Sequence, residues 1–303
     1  MKLRCQYDSI FYMFFMINRQ NNRGIKTYMK RHNFIICAYK ESPYLEKCIK
    51  SILNQEYLEE SEILICTSTP NDYIKGMAEK YGIKLVINPD RGDIQSDWNF
   101  AYNFSDAQYI TLVHQDDVYN KAYSRHLIDA VNKYQDIAIY YTKYRALTTT
   151  EKEERVDRDI NCRLRSFLSF PMSIPALQTS RWWKRLTLRF GNSICCSSVT
   201  YNKKLLGNVN LFHSELRFSL DWDTYWELAD IKGRFFFDKS PLTYFRIHQL
   251  STTMLCIEDD SREKEDYIMF YKMWPRCIAN FIMHFYKLAY CNYQSLDKKG
   301  KQK

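Results

Sequence analysis

Short apolar runs alternate with amphipathic stretches through the first half of the chain, and this alternation predicts its regular structure. The apolar runs are rich in β-branched residues and have the length of buried strands. The stretches between them carry apolar residues at helical spacing. The predicted strands are Asn33–Ala38, Glu62–Cys66, Lys84–Ile87 and Ile110–Val113. The predicted helices begin near Pro43, Gln95 and Lys121, and a further one runs through Ile74 and stops at Gly82.

This order of elements predicts an α/β fold with a mostly parallel sheet and helices on both of its faces, joined by right-handed crossovers. The loops that follow the strands then meet at one edge of the sheet. Ligands of open α/β sheets bind in the crevice outside the carboxyl ends of the strands. We therefore expect Tyr39, Thr67, Asp93 and Asp116 to face a common crevice.

The strand that ends at Val113 runs directly into the polar sequence His114-Gln115-Asp116-Asp117. Two carboxylates at the end of a buried strand are placed to hold a metal ion or the hydroxyl groups of a ligand. A divalent cation that keeps several water ligands is the usual partner of a phosphate ester. The alternative is an Asp-rich turn without a ligand, since Asp is common in turns and at helix N-caps. This stretch alone leaves both interpretations open.

The pattern is weaker in the second half of the chain. The predicted elements are a strand at Ile137–Tyr141, regular structure at Ser193–Tyr201, a helix from Leu220 to Gly233, and a strand pair at Arg234–Asp238 and Leu242–Arg246. Helical spacing then runs from Asp260 onward with a break at Pro275, and the basic tail from Lys298 is expected to be disordered. The basic aromatic segment Arg181–Arg185 is interpreted as an amphipathic helix with a solvated face, in preference to a lipid contact.

The composition is that of a globular protein and restricts its partners. Hydrophobic residues make up 46% of the chain and charged residues 26%. The ten cysteines include no Cys-x-x-Cys pair, so they are predicted to be buried thiols in a reducing compartment. A net charge of +9 favours anionic partners, which are nucleotide diphosphates, an acidic membrane face or nucleic acid. Nucleic acid is the least favoured, because no basic stripe interleaved with aromatic residues follows one predicted element in the first half.

The N-terminal segment is expected to lie outside the fold. Its apolar run at residues 10–17 is too short to span a bilayer, and no small-residue cleavage site follows it. Met29 stands directly before the first strand. We therefore expect translation to begin at Met29, with residues 1–28 outside the fold. A short interfacial anchor is the alternative.

Taken together, these residues resemble the family 2 glycosyltransferases of the GT-A fold. The resemblance runs from Asn33 to Thr253 and rests on four features in a fixed order. They are the first strand and helix from Ile35 to Gln55, the aspartates after the fourth strand, the segment Leu220-Asp221-Trp222-Asp223, and the pattern Arg-x-His-x-x-Ser-Thr-Thr from Arg246 to Thr253. The resemblance implies a Rossmann-like, mostly parallel sheet with helices on both faces and a C-terminal helical extension.

The resemblance also implies a division of the chain. Residues 29–256 would form the GT-A domain, with a nucleotide-sugar half at about 29–142 and an acceptor half at about 143–256. Residues 257–303 would form an amphipathic helix and a basic tail.

The resemblance further implies an inverting transferase that moves a sugar from a nucleotide-diphosphate sugar to an acceptor hydroxyl. Asp116 occupies the position that binds Mg²⁺ or Mn²⁺, His114 stands at the first acidic position of that motif, and His248 is a second candidate metal ligand. A structural role for His248 is nearly as well supported. The candidate donor-binding residues are Ala38, Tyr39, Glu41, Thr67, Asp93, Asn99, Gln115, Asp117 and Arg246.

Asp221 occupies the position of the general base and is preferred to Asp223. A carboxylate in the first turn of a helix can also be there only because the helix dipole favours it, and this alternative stays open.

One departure leaves the nucleotide undetermined. Many relatives carry an acidic pair after the second strand, where this chain has Cys66-Thr67-Ser68-Thr69. Thr67 and Ser68 can still hydrogen-bond a ribose or a base, with Asp93 and Asn99 as the next candidates. This departure and His114 also keep open a second interpretation, a non-catalytic scaffolding protein of the same fold at a membrane surface.

The basic aromatic segment Arg181–Arg185 and the aromatic C-terminal helix lead to the hypothesis that the chain works in cell-surface polysaccharide or glycolipid biosynthesis. The acceptor would be a sugar or a lipid-linked saccharide. The expected location is the cytoplasm, with a peripheral contact to the anionic inner face of the plasma membrane, and no nucleic acid is expected as a partner.

Overall fold

The computed structural model describes residues 30–90, 92–149, 154–157, 160–248 and 261–287. From Arg31 onward, the described residues form one compact unit. The predictions about residues 1–28, about the tail from Lys298 and about a boundary at residue 257 lie outside the described residues. So do Ser251–Thr253, the last part of the late sequence pattern.

The described residues form one sheet of nine strands. Its first part consists of four strands in the order β3-β2-β1-β4, and their parallel pairing is as the sequence predicts. These strands are β1 (His32–Cys37), β2 (Ser61–Thr67), β3 (Lys84–Ile87) and β4 (Tyr109–His114). Their carboxyl ends lie at the same edge of the sheet, which places the loops after β1, β2, β3 and β4 side by side.

The sheet continues beyond β4 through antiparallel and parallel pairs. The remaining strands are β5 (Val118–Tyr119), β6 (Ile137–Thr149), β7 (Glu154–Asp157), β8 (Thr200–Asn202) and β9 (Arg234–Ile247). β8 joins β4 and β6 with antiparallel pairing on both sides, and β9 runs parallel to β6. β5 pairs with the far side of β9, and β7 forms a hairpin with β6.

Helices cover both faces of the sheet because successive strand residues point to opposite faces. Phe34 and Ile36 of β1 pack in one core, with α1 (Leu45–Leu53), α2 (Asp72–Tyr81) and α4 (Tyr123–Lys133). Ile35 packs in the other, with α3 (Ile94–Phe104). The second core also takes residues of α6 (Arg181–Leu188), α8 (Leu220–Leu228) and α9 (Ser261–Met273). Two shorter helices are α5 (Ile160–Ser169) and α7 (Lys203–Leu206).

The C-terminal helices complete the second core. Phe270 of α9 contacts the ring of Trp222 at a centroid distance of 5.2 Å. A further helical stretch, α10 (276–287), follows the predicted break at Pro275 and buries Ala279 and Met283 in the same core. In the described part of the chain, no helix has both the length and the apolar character needed to cross a bilayer.

Four predicted regions differ from the structure. The predicted strand pair at residues 234–246 is a single strand, β9, whose pairing with β6 passes from Asp238 directly to Pro241. Proline lacks an N–H and is tolerated at such an irregularity, so a turn-like sequence continues as a strand. The predicted strand at Ile137–Tyr141 extends to Thr149. The predicted boundary between the nucleotide-sugar half and the acceptor half, at about residue 142, therefore falls inside this strand, β6.

The predicted helix from Leu220 to Gly233 ends at Leu228. The region Ser193–Tyr201 holds a 3₁₀ turn at Cys196–Ser198 and then the short β8.

Candidate active site

A crevice of about 750 Å³ opens at the carboxyl ends of β1 and β4 and extends to α8. The position follows from the topology, since the loops after the parallel strands meet there. Several of the predicted site residues line it, namely Ala38, Tyr39, Asp93, Gln115, Asp116, Asp221 and His248. Glu41, Thr67, Asn99, Asp117 and Arg246 are outside the lining, and their contacts are described below.

Asp116 and His248 form a pair at the centre of the donor side. His248 Nε2 lies 2.9 Å from Asp116 Oδ2, and the imidazole ring contacts the ring of Tyr44 at 4.8 Å. Burial acts to raise the pKa of Asp116, but the hydrogen bond with His248 and the charge of His114 outweigh burial and lower it. The Asp116 carboxylate is therefore ionised at neutral pH.

The spacing of this pair is that of a hydrogen bond, and it is also compatible with a divalent cation between the two groups. Two neighbouring ligands at about 2.1 Å from an octahedral ion are about 3 Å from each other. The separation of Asp116 Oδ2 and His248 Nε2 is 2.9 Å. One carboxylate and an imidazole, with the remaining positions left to phosphate oxygens and water, is a suitable donor set for Mn²⁺ or Mg²⁺.

Asp117 and Arg246 lie beneath the crevice and hold the loop that carries Asp116. Asp117 is fully buried and accepts a hydrogen bond from the backbone N–H of Arg246 at 2.8 Å. The Arg246 Nε donates to the carbonyl oxygen of Asp116 at 2.7 Å, and its guanidinium lies over the ring of Tyr44. Burial and the charge of Asp116 raise the pKa of Asp117 well above its usual value. These contacts position Asp116, and neither Asp117 nor Arg246 lines the crevice itself.

The remaining predicted donor residues differ in their surroundings. Gln115 and Tyr39 exchange two hydrogen bonds of 3.0 Å, between the Gln115 amide and the Tyr39 backbone, so the half-exposed Tyr39 ring is held at the mouth of the crevice. Thr67 is buried, and its Oγ1 accepts a hydrogen bond from the Thr69 N–H. Asn99 is wrong as a crevice residue, because its amide binds the backbone of Phe212 in both directions. Glu41 is exposed beside the crevice.

Asp97 is a crevice residue that the sequence did not identify. Its carboxylate accepts hydrogen bonds from Ser68 Oγ at 2.8 Å and from Asn88 Nδ2 at 2.9 Å. The first turn of α3, whose N-cap is Asp93, therefore brings an acid to the loop after β2, where the chain lacks the usual acidic pair. The signal was present in the sequence, since Asp97 lies one helical turn after Asp93.

Trp98 also lies in this wall of the crevice. Its ring stacks on the ring of His114 at 5.1 Å with an angle of 19° between the planes. Burial lowers the pKa of His114, and the charge of Asp116 only partly offsets this effect. The residue at the first acidic position of the motif is thus an imidazole packed against an indole.

Asp221 lies in the first turn of α8 and faces the other side of the crevice. Its Oδ2 accepts a hydrogen bond from Asn192 Nδ2 at 2.9 Å, and its Oδ1 accepts one from the Trp222 N–H at 2.8 Å. Burial raises the pKa of Asp221 to about 6, although both hydrogen bonds and the charge of Arg165 act in the opposite direction. A carboxylate with this pKa is ionised at neutral pH and is still basic enough to take a proton.

Asp223 is engaged elsewhere. Its carboxylate accepts hydrogen bonds from Lys272 Nζ and from Ser214 Oγ, on the side of α8 that faces α9. The geometry therefore supports the choice of Asp221 over Asp223.

Glu265 of α9 holds the loop that leads into α8. Its carboxylate accepts hydrogen bonds from the backbone N–H groups of residues 217, 218 and 219 at 2.9, 2.8 and 2.8 Å. The neighbouring Asp266 accepts a hydrogen bond from Ser219 Oγ. This clamp fixes the start of the helix that carries Asp221, and it joins segments more than forty residues apart.

Replacement of Glu265 with Ala is expected to lower the free energy of unfolding by about 2–4 kcal/mol, because three backbone N–H groups, of which that of Ser219 is buried, lose a charged acceptor. Urea titration followed by tryptophan fluorescence measures the change. Glu263→Ala is the matched control on the same helix. Glu263 forms a surface ion pair with Lys287, so its loss should cost less than about 1 kcal/mol. Equal effects of the two substitutions would show that the clamp contributes nothing specific.

The comparison with protein families gives the class of the protein. The model of glycosyl transferase family 2 matches residues 33–193, which is more than half of the chain. The chain therefore belongs to glycosyl transferase family 2 and is a glycosyltransferase. No curated protein matches the chain significantly.

Solved structures of glycosyltransferases share the fold. Residues 1–349 of TarS from S. aureus align with a TM-score of 0.53 and 13% identity, over 84% of this chain and 69% of that chain. The mannosyltransferase PcManGT from Pyrobaculum calidifontis, in complex with GDP-Man and Mn²⁺, aligns with a TM-score of 0.57 and 12% identity, over 96% of this chain and 82% of that chain. The GT-A type of fold predicted from the resemblance is confirmed.

Proposed function

We propose that the crevice transfers a sugar from a nucleotide-diphosphate sugar to an acceptor hydroxyl, with inversion at the anomeric carbon. The observation that carries the proposal is the placement of the Asp116–His248 pair and the Asp221 carboxylate along one crevice. The Asp116–His248 pair is suited to binding a diphosphate with its cation. The Asp221 carboxylate is suited to accepting a proton. Family membership supports the same reaction.

On the donor side, Asp116 and His248 would hold Mg²⁺ or Mn²⁺, which when bound offsets the negative charge that develops on the leaving diphosphate. The Tyr39 ring and the Asp97 carboxylate would bind the nucleoside, from the mouth and from the wall of the crevice. TarS has been solved in complex with UDP, and PcManGT with GDP-Man and Mn²⁺, which supports a nucleotide donor and a divalent cation here. The choice of nucleotide would depend on Ser68, Asp93 and Asp97.

On the acceptor side, Asp221 would take the proton of the attacking hydroxyl. The Asn192 amide and the Trp222 N–H orient its carboxylate, and burial keeps its pKa near 6. A base across the crevice from the diphosphate site favours attack opposite the leaving group, which inverts the anomeric centre. The acceptor is proposed to be a saccharide of a cell-surface polysaccharide or glycolipid, made in the cytoplasm.

Donor turnover tests the proposal. Uridine, guanosine, thymidine and cytidine diphosphate sugars are incubated with the protein and Mn²⁺, and release of the nucleoside diphosphate is followed with and without an extract of saccharide acceptors. We expect metal-dependent release from one nucleotide class, and an inverted anomer by NMR. Absence of turnover with every donor and acceptor, or a retained anomer, would contradict the proposal.

The pH profile of kcat provides a separate prediction. The base acts only when ionised, so kcat should be constant well above pH 6 and fall about tenfold per pH unit below it. The other titratable groups near Asp221 do not produce this limb, because burial raises the pKa of Cys196 and of Tyr225 well above their usual values, and an arginine stays charged in proteins. A profile that stays flat down to about pH 4.5 would rule out a group with this pKa as the base.

A second candidate is a binding or scaffolding protein of the same fold. His114 at the first motif position and the threonine-rich loop after β2 favour it. Such a protein would bind its partner equally well after Asp116→Asn and Asp221→Asn, and it would show no turnover in either form. The substitutions described in the Discussion therefore separate the two functions.

A further inference from the structure

Residues 160–190 form a surface segment of unusual composition. They contain six basic residues and no acidic residue. They also contribute seven of the large hydrophobic side chains that the described part of the chain leaves exposed, which are Ile160, Leu164, Phe167, Phe170, Ile174, Trp182 and Phe190. An apolar strip of this kind among basic residues is typical of segments that lie in a membrane interface.

The exposed apolar side chains of α5 lie on one face of the helix. Ile160, Leu164 and Phe167 follow the spacing i, i+4, i+7, and their exposed fractions are 66%, 50% and 75%. The exposed Arg163 lies on the same face, while Asn161, Cys162 and Ser169 are buried against the domain. A helix on a protein surface normally exposes its polar residues to water and buries its apolar residues against the domain. The exposed apolar face of α5 therefore needs a partner.

The basic residues of α6 extend the same surface. α6 packs beside α5, and its Trp182 is 59% exposed, with its ring against Trp183 at 4.7 Å. Arg181 and Arg185 both donate to Asp230, which offsets one positive charge. Lys184 is buried with its Nζ donating to the carbonyl oxygen of Ile231, so the positive balance of this surface comes from its arginines. Large rings and arginines together suit a boundary between lipid headgroups and acyl chains.

We propose that α5 and the exposed residues around Trp182 dock on an anionic lipid bilayer, with Leu164 and Phe167 inserted below the headgroups. Charge complementarity selects this partner, since the segment has no acidic residue of its own and the whole chain carries +9. Arg165 of the same helix lines the crevice. Docking through α5 would therefore bring the crevice next to the headgroups, and a lipid-carried acceptor could then reach it. Only this last step rests on the proposed function.

Vesicle flotation tests the docking. The probe is vesicles of phosphatidylcholine with or without phosphatidylglycerol, at physiological salt. We expect binding to the anionic vesicles, weaker binding to neutral ones, and a loss of roughly 10–100-fold in the double substitution Leu164→Ser/Phe167→Ser. Arg163→Gln should weaken binding by about fivefold, as expected for one basic residue near the surface. The control is Phe104→Ser, which removes an exposed aromatic ring at the end of α3. Phe104 lies beside Lys84 of β3, at the opposite end of the sheet from β5, and this variant should bind like the wild type.

Three results would overturn the proposal. They are no binding to anionic vesicles, equal binding of the wild type and the double variant, or a wild-type dimer in sedimentation that the double variant converts to a monomer. The last would mean that a second copy covers this face. Thermal unfolding of each variant confirms that it is folded. Because the vesicle assay needs no donor, a negative result here leaves sugar transfer untouched, and failed turnover leaves docking untouched.

Discussion

The substitution Asp221→Asn is expected to lower kcat for sugar transfer by about 10²–10⁴-fold, the usual contribution of a positioned general base. Asn keeps the size of the side chain and can still accept a hydrogen bond from the Trp222 N–H. It cannot take the proton of the acceptor hydroxyl. The KM for the donor should change little, since the diphosphate is bound by Asp116 and His248. Steady-state kinetics with donor and acceptor varied separately measure both effects.

Asp223→Asn is the matched control, because it makes the same chemical change two residues away on α8. Asp223 binds Lys272 and Ser214 and is not part of the crevice lining. We expect kcat within about twofold of the wild type and a loss of stability of at most about 1 kcal/mol. Equal losses of kcat in both variants, or full activity in Asp221→Asn, would remove Asp221 from the mechanism.

The substitution Asp116→Asn is expected to reduce kcat/KM for the donor by roughly 10²–10³-fold. The loss corresponds to about 3–4 kcal/mol of charge stabilisation at the leaving diphosphate. An amide has no charge with which to hold a hard divalent cation. The Asn side chain also loses the charge-assisted hydrogen bond with His248, so both metal-binding groups are weakened together.

Asp106→Asn provides the control for Asp116→Asn. Asp106 is exposed just before the start of β4, at the opposite end of the strand from Asp116. Its substitution changes the net charge by the same amount and should leave turnover unchanged. If Asp106→Asn were as damaging as Asp116→Asn, the effect would come from overall charge and not from a cation site.

The parallel half of the sheet could be predicted from the sequence because its signals are local. Strands β1 to β4 are short apolar runs, and the helices between them carry regular apolar spacing. The order of these elements then places Tyr39, Asp93 and Asp116 at one edge without any knowledge of side-chain contacts. The crevice follows from this regularity, whereas the class of protein was implied by the resemblance of four sequence features to a known family.

The contacts that complete the site could not be predicted, because they join residues far apart in the chain. Asn99 binds the backbone of Phe212 across 113 positions, and the pairing of His248 with Asp116 across 132 positions was expected only from the family resemblance. Nothing near Asn99 in the sequence shows that its amide is already bound. Glu265 gave no signal either, since a charged residue on a helix is usually solvated.

The second half of the chain was harder to predict for a physical reason. β9 continues through Ser240 and Pro241, a sequence that resembles a turn, because its pairing with β6 absorbs the irregularity. α5 was missed although Ile160, Leu164 and Phe167 follow helical spacing, because this apolar strip is short and comes directly after the charged stretch Glu151–Asp159. That same feature is the basis for the membrane surface inferred above.

The most direct test of the metal-dependent nucleotide site is calorimetry on the wild-type protein. The protein is titrated with uridine and guanosine diphosphates, first with Mn²⁺ and then with the cation removed by a chelator, and Asp116→Asn is titrated in the same way. We predict that one nucleotide binds in the presence of Mn²⁺, and that binding weakens at least about tenfold both without the cation and in the variant. Binding of equal strength with and without Mn²⁺, or in Asp116→Asn, would contradict a cation site at Asp116 and His248.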